Sequence, residues 1–340
     1  MPGKSSSYRP DRFRTAVRPG SPETRIGYGS GIMLIGSCFT ENIGTLLQQY
    51  KFPVDMNPFG IVYNPAAVAA QLERLINPQE YAENDLVCRD EVWYSFDHHG
   101  RFSATDPREC LDQINSSLQQ ASSFIRKAGH LILTFGTARV YRLKLTGQIV
   151  ANCHRFPEPD FDHRLYEPDE LLEFMVPAID SVIQANPGIG LIWSISPVRY
   201  PKEGSPGNQL AKANLIRMVA GLLHQYPHSY YFPAYEIFMD DLRDYRFYAN
   251  DMVHPGEAGI AYVWDLFRET CIDSPSAELM NRIEPLVLAA RHRPTDRHST
   301  AHEAFVKKQL LRIGEIIRDH PWLDFETEIK LLKAGGSDLP

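Results

Sequence analysis

Four short apolar runs, each halted by glycine or proline, set the rhythm of the chain. Ile32-Met33-Leu34-Ile35 stops at Gly36-Ser37, and Leu131-Ile132-Leu133-Thr134-Phe135 stops at Gly136. Leu191-Ile192-Trp193-Ser194-Ile195-Ser196 ends at Pro197, and Tyr230-Tyr231-Phe232 runs into Pro233-Ala234. An apolar run of this length, bounded by turn residues, predicts a parallel strand buried on both faces. Helical spacing fills the intervals. Phe39, Ile43, Leu46, Leu47 and Tyr50 follow the first run, and helices are predicted around Glu109–Lys127, Glu170–Gln184 and Gln209–Gln225. Strands alternating with helices predict βαβ units, hence an α/β fold with a doubly wound, mostly parallel sheet flanked by helices.

The rhythm breaks in three places. Residues 1–30, rich in Pro, Gly, Ser and Arg, read as an irregular N-terminal arm. Val140–Asn152 alternates about the turn Thr146-Gly147 and reads as a hairpin inserted near the sheet's edge. From about Pro275 no strand run remains, and charged helical patterns cover Ala301–Arg318 and Asp324–Lys333. Residues 275–340 are therefore expected to be a helical appendage to an α/β domain over 31–274.

Composition narrows the function classes. The 340 residues carry 35 Lys+Arg against 42 Asp+Glu, a net charge of −7, with 43% hydrophobic and 23% charged residues. That is the balance of a folded globular protein, and the lack of a dense basic block argues against nucleic acid as a partner. No apolar run approaches the ~20 residues that span a bilayer. The opening Met-Pro-Gly-Lys-Ser-Ser-Ser lacks the apolar core of a secretory signal, so a cytoplasmic protein without a membrane span is expected. Cysteines 38, 88, 110, 153 and 271 form no C-x-x-C pair, which argues against a disulfide framework or structural zinc. Asp160, Asp162 and His163, with His98-His99, lack metal-ligand spacing and are expected to lie in solvated loops. Neither a metal nor another cofactor is expected.

Ligands of a doubly wound sheet collect at the carboxyl ends of its strands. This nominates Gly36-Ser37, Gly136-Thr137, Ser196-Pro197 and the segment after the last strand, Asp251-Met252-Val253-His254-Pro255-Gly256. Pro255 suits the first position of a helix with Ile260, Val263, Trp264 and Phe267 as its buried stripe. Asp251 and His254, three positions apart, then sit where the carboxylate can orient the imidazole. A base so held, with a serine on a sharp strand-to-helix turn, is the constellation for nucleophilic acyl transfer. Ser37 and Asp251 also suit helix caps, and their pairing in order favours the catalytic role. Cys38 is expected to turn its thiol toward the core. Gly27-x-Gly29-x-Gly31 precedes a strand, the wrong context for phosphate binding, and no G-x-S-x-G elbow occurs.

Gly36-Ser37-Cys38-Phe39, followed by Glu41-Asn42-Ile43-Gly44, resembles the signature of the GSCFA family, a branch of the SGNH/GDSL hydrolase superfamily. The stretches Asn57–Pro65, Thr134–Ala138, Ala151–His154 and Ser196–Arg199 are similar to the family's other motifs, so the resemblance covers roughly residues 12–265. It implies a flavodoxin-like SGNH hydrolase fold with Ser37, Asp251 and His254 as catalytic residues. It also implies an oxyanion hole built from Ser37, Gly60, Gly136 and Thr137. The third block reads Gly136-Thr137-Ala138-Arg139 where the superfamily has G-x-N-D, so the usual oxyanion asparagine is missing. Thr137, Asn57 or Asn152 could substitute. Asn57, Asn152, His154 and Arg199 are candidates for substrate contact. The expected activity is a serine-dependent esterase or O-acyltransferase acting on a small acyl ester of a carbohydrate or lipid. Its rival is an inactive ligand-binding module on the same scaffold, and the oligomeric state is left open.

Overall fold

The computed structural model describes residues 14–335. The first part of the predicted arm, residues 1–13, lies outside the described residues. The chain begins with strand β1 (Gly31–Gly36), helix α1 (Cys38–Gln49), strand β2 (Val54–Met56) and helix α2 (Pro65–Ile76). Short strands β3 (Val87–Arg89) and β4 (Val92–Tyr94), then helix α3 (Pro107–Ile125), lead to β5 (Ala128–Phe135). Strands β6 (Arg139–Leu143), β7 (Ile149–Val150) and β8 (Phe161–Leu165) precede α4 (Pro168–Ala185), β9 (Gly190–Ile195), α5 (Gly204–Gln225) and β10 (Tyr230–Phe232). The turn α6 (Ala234–Glu236) and helices α7 (Glu257–Cys271), α8 (Ser274–Ala290), α9 (Thr300–Asp319) and α10 (Glu326–Ala334) follow.

The central sheet is parallel, in the order β10-β9-β5-β1-β2. Counted within the sheet alone, this is the 2-1-3-4-5 arrangement of a doubly wound fold, with its switch point between β1 and β5. Alternation along β1 explains the two layers. Met33 and Ile35 join a core with α2 to α5, whereas Ile32 and Leu34 join one with α1, α7 and the C-terminal helices. The last helices share this second core: Met280, Ile283, Ile313 and Ile316 pack in the same cluster as Leu47 and Trp264.

Several elements differ from the expectation. The predicted hairpin is a three-stranded antiparallel sheet, β7-β6-β8. Its third strand, Phe161–Leu165, has Asp162 and Arg164 exposed and presents no apolar run. Strand β2 is three residues long and carries Asp55. Helix α2 is buried nearly all round through Ala66, Ala67, Val68, Ala69 and Leu72, which erases amphipathic spacing. Helix α7 starts at Glu257 with Gly256 as its cap, not at Pro255, because Pro255 is held in a bridge to Tyr248. Among the described residues, no helix is long and apolar enough to cross a membrane.

Candidate active site

Ser37 stands where β1 becomes α1, at the switch point of the sheet. Only glycine fits at position 36, since a Cβ there would lie 2.3 Å from the Thr134 carbonyl oxygen and 2.7 Å from Thr40 Oγ1. The Gly36 N–H donates to Asn57 Oδ1 at 2.8 Å, and its carbonyl accepts from the Val62 N–H at 3.0 Å. Ser37 caps α1, with its Oγ accepting from the Phe39 N–H at 3.3 Å. The hydroxyl therefore sits at the positive end of a twelve-residue helix, where negative charge on oxygen is favoured. The residue is only 1% exposed, yet it lies on the wall of a cavity of about 550 Å³.

His254 reaches the same cavity from the loop before α7. Asp251 organises that loop: Oδ1 accepts from the Val253 and His254 N–H groups at 2.9 and 3.0 Å, and Oδ2 lies 2.7 Å from His254 Nδ1. These N–H groups and the imidazole hold the Asp251 carboxyl well below the usual range, at about 2. With Nδ1 engaged, the neutral ring carries its lone pair on Nε2. The Ala249 N–H closes the loop on the His254 carbonyl (2.8 Å), and the Arg199 N–H, just past β9, ties it to the sheet through the Val253 carbonyl (3.2 Å). Ser37 and His254 line one cavity, and no hydrogen bond joins their side chains among the described residues.

The other predicted residues divide. Gly136, Thr137, Asn152 and Arg199 line the cavity. Gly60 does not: its N–H donates to the Asn57 carbonyl at 2.7 Å, and a Cβ there would strike His99 Cβ at 2.2 Å. Gly60 thus serves a tight turn at φ +83° and offers no free donor. The Gly136 and Thr137 N–H groups both donate to the Tyr63 carbonyl, at 2.7 and 3.1 Å, and the Ser37 N–H makes a long bond of 3.3 Å to Thr134. Asn57 is fully buried beneath the Ser37 turn, where its Oδ1 supports Gly36, and it does not line the cavity. His154 is likewise absent from the wall, as its Nε2 is bound to the Ser95 carbonyl at 2.8 Å.

Two further expectations are corrected. Cys38 is half-buried, with Sγ 3.6 Å from the Tyr63 hydroxyl, because the inward stripe of α1 begins one residue later at Phe39. His98 is buried, not solvated: its Nδ1 meets Ser95 Oγ at 2.9 Å and its ring packs on Phe59 and Phe102. Burial lowers its pKa to about 3, so it stays neutral. His163 stacks on Tyr141 at 3.9 Å beside Glu203, while Asp160 and Asp162 are exposed.

Two residues at the site escape the sequence reading. Asn64 lies on the cavity wall and caps α2, its Oδ1 accepting from the Ala67 N–H at 2.8 Å. Because that N–H needs an acceptor, the amide's orientation is fixed and Nδ2 is its remaining donor. Lys212, 1% exposed, donates from Nζ to the carbonyls of Gly136 (2.7 Å) and Ser196 (2.6 Å), tying together the carboxyl ends of β5 and β9. Burial, then the nearby Arg199 charge, pulls its pKa down to about 7. A signal was present: Lys212, Leu215, Val219 and Leu222 share one helical face, placing a cation among core positions.

Comparison with known families covers most of the chain. The GSCFA family model matches residues 31–267, and a second, described as the GSCFA domain protein C-terminal domain, matches residues 283–335. No curated protein matches the chain. With the first match covering well over half of its length, the chain belongs to the GSCFA family.

Proposed function

We propose that the protein is a serine-dependent ester hydrolase or O-acyltransferase of the SGNH/GDSL type. The observation that carries this reading is His254, on the wall of the same cavity as Ser37 and held from behind by Asp251, with 2.7 Å between Oδ2 and Nδ1. His254 Nε2 takes the Ser37 proton as Oγ attacks the ester carbonyl carbon. Asp251 keeps the tautomer and stabilises the imidazolium. The tetrahedral intermediate collapses to an acyl-serine as His254 returns the proton to the departing alkoxide. Water or a second alcohol, deprotonated by the same ring, then releases the acyl group. Catalytic contacts commonly tighten only when substrate binds, which accommodates the open Ser37–His254 pair. Asn64 Nδ2, with the Ser37 N–H, takes the place of the missing oxyanion asparagine. All five cysteines are free in the structure, which supports a reducing compartment such as the cytoplasm. A small acyl ester of a carbohydrate or lipid is the substrate class in view.

Ser37→Ala and His254→Ala should each reduce aryl acetate turnover by at least ~10³-fold while the protein stays folded. Near-normal turnover in either variant contradicts the reading. One observation favours the rival, a binding module: the Tyr63 carbonyl already occupies the Gly136 and Thr137 N–H groups. That reading predicts ligand binding without acyl-enzyme formation.

A further inference from the structure

The cavity is more cationic than the protein around it. Its wall carries Arg139, Arg155, Arg199 and Lys202, in a chain whose net charge is −7. Two of these charges are neutralised: Arg139 pairs with Glu203 at 3.3 Å and Lys202 with Glu158 at 2.8 Å. The other two are not. Among the described residues, neither Arg155 nor Arg199 has a carboxylate within ion-pair distance.

Arg199 is positioned by its side chain's surroundings and Arg155 by its backbone, neither by a counter-ion. Arg199 follows β9, its main chain bonded to Val253 in the histidine loop, and among the described residues its side chain donates to the Met239 thioether alone, from Nη1 at 3.1 Å. A thioether is a weak acceptor, so this half-buried guanidinium has lost water without gaining a matched partner. Arg155 also lines the cavity and is exposed, in a turn where His154 and Arg155 both have positive φ, 47° and 58°. Such backbone is unfavourable for non-glycine residues and persists only where its surroundings impose it. Here the Asn152 side chain accepts from the His154 N–H, His154 Nε2 is bound to the Ser95 carbonyl, and Arg89 donates to the Arg155 carbonyl. A pinned, strained turn thus delivers an unpaired cation to the cavity. Low-dielectric walls concentrate the field of the two guanidinium groups, whose planar forks match carboxylate or phosphate oxygens.

We propose that Arg155 and Arg199 form an anion-binding subsite, so that the preferred substrate is an ester bearing a carboxylate or phosphate group. The assignment rests on the hydrolase reading for the word substrate, but the anion site itself does not. The test uses 3-acetoxybenzoate, 3-acetoxyphenyl phosphate and the neutral 3-acetoxybenzamide. Wild type should favour an anionic ester over the amide in kcat/KM by roughly 10–100-fold, the range of hydrogen bonds to charged groups. Arg199→Met and Arg155→Met should each lower that ratio, Arg199→Lys should restore part of it, and 0.5 M salt should reduce it. The arm with the larger ratio names the anion. A wild-type ratio near one, or a ratio untouched by both substitutions, overturns the proposal. Calorimetric titration of Ser37→Ala with the same compounds separates the two readings. If wild type turns over none of them yet Ser37→Ala binds an anion more tightly than the amide, and adding Arg199→Met abolishes the difference, the hydrolase reading fails and the anion site stands. Equal binding of the charged and neutral compounds overturns the site.

Discussion

One oxygen of Asp251 lies 2.7 Å from His254 Nδ1, and the other accepts two main-chain N–H groups of the same loop. A single carboxylate therefore sets both the path of the loop and the tautomer of the ring. Asparagine fits the space but cannot accept at both positions with both oxygens. Asp251→Asn should lower kcat by about 10³–10⁴-fold through the wrong tautomer, with the fold retained by circular dichroism. A kcat within a few-fold of wild type would remove Asp251 from the mechanism.

Asn64 separates capping from catalysis. Aspartate at this position keeps an oxygen for the Ala67 N–H and so keeps the α2 cap, but it removes the Nδ2 donor. Asn64→Asp should leave the melting temperature nearly unchanged and reduce kcat by ~10²–10³-fold, the cost of one oxyanion donor. Asn64→Ala should lose the cap as well, about 1 kcal/mol of stability. Equal activity in Asn64→Asp and wild type would return the oxyanion role to main-chain donors alone.

Strands β1, β5 and β9 are legible because parallel strands covered on both faces read as unbroken apolar runs. Strand β2, with Asp55 at its centre, and helix α2, apolar on nearly every side, carry no such pattern. Ser37, Asp251 and His254 are legible because the strand-end rule and the D-x-x-H spacing point to one place. Gly60 and Asn57 sit in the right stretch of sequence, but their roles turn on hydrogen bonds: the Gly60 N–H donates to the Asn57 carbonyl, and Asn57 Oδ1 accepts from the Gly36 N–H. Asn64 looks like an ordinary helix cap, and only the cavity beside it gives its second amide atom a use.

Lys212 makes stability depend on pH in a direction that can be worked out. Unfolded lysine titrates near ~10.4, whereas burial and Arg199 bring Lys212 to about 7. Below pH 7 both states hold the proton, and the folded state bears the cost of a buried ammonium. Between these two values the unfolded chain binds a proton that the folded protein has released, so stability rises with pH by up to ~1.4 kcal/mol per unit. Lys212→Met lacks this contribution. In urea denaturation the stability of wild type relative to the variant should therefore increase steadily from pH 7.5 to 9.5. A difference independent of pH would show that Lys212 keeps its proton throughout.

An activated nucleophile at Ser37 should react with a small fluorophosphonate probe, and intact-mass measurement reads the adduct directly. One adduct is expected on the wild-type protein and none on Ser37→Ala. A folded wild-type protein that takes no adduct, or an adduct that persists in Ser37→Ala, would contradict it.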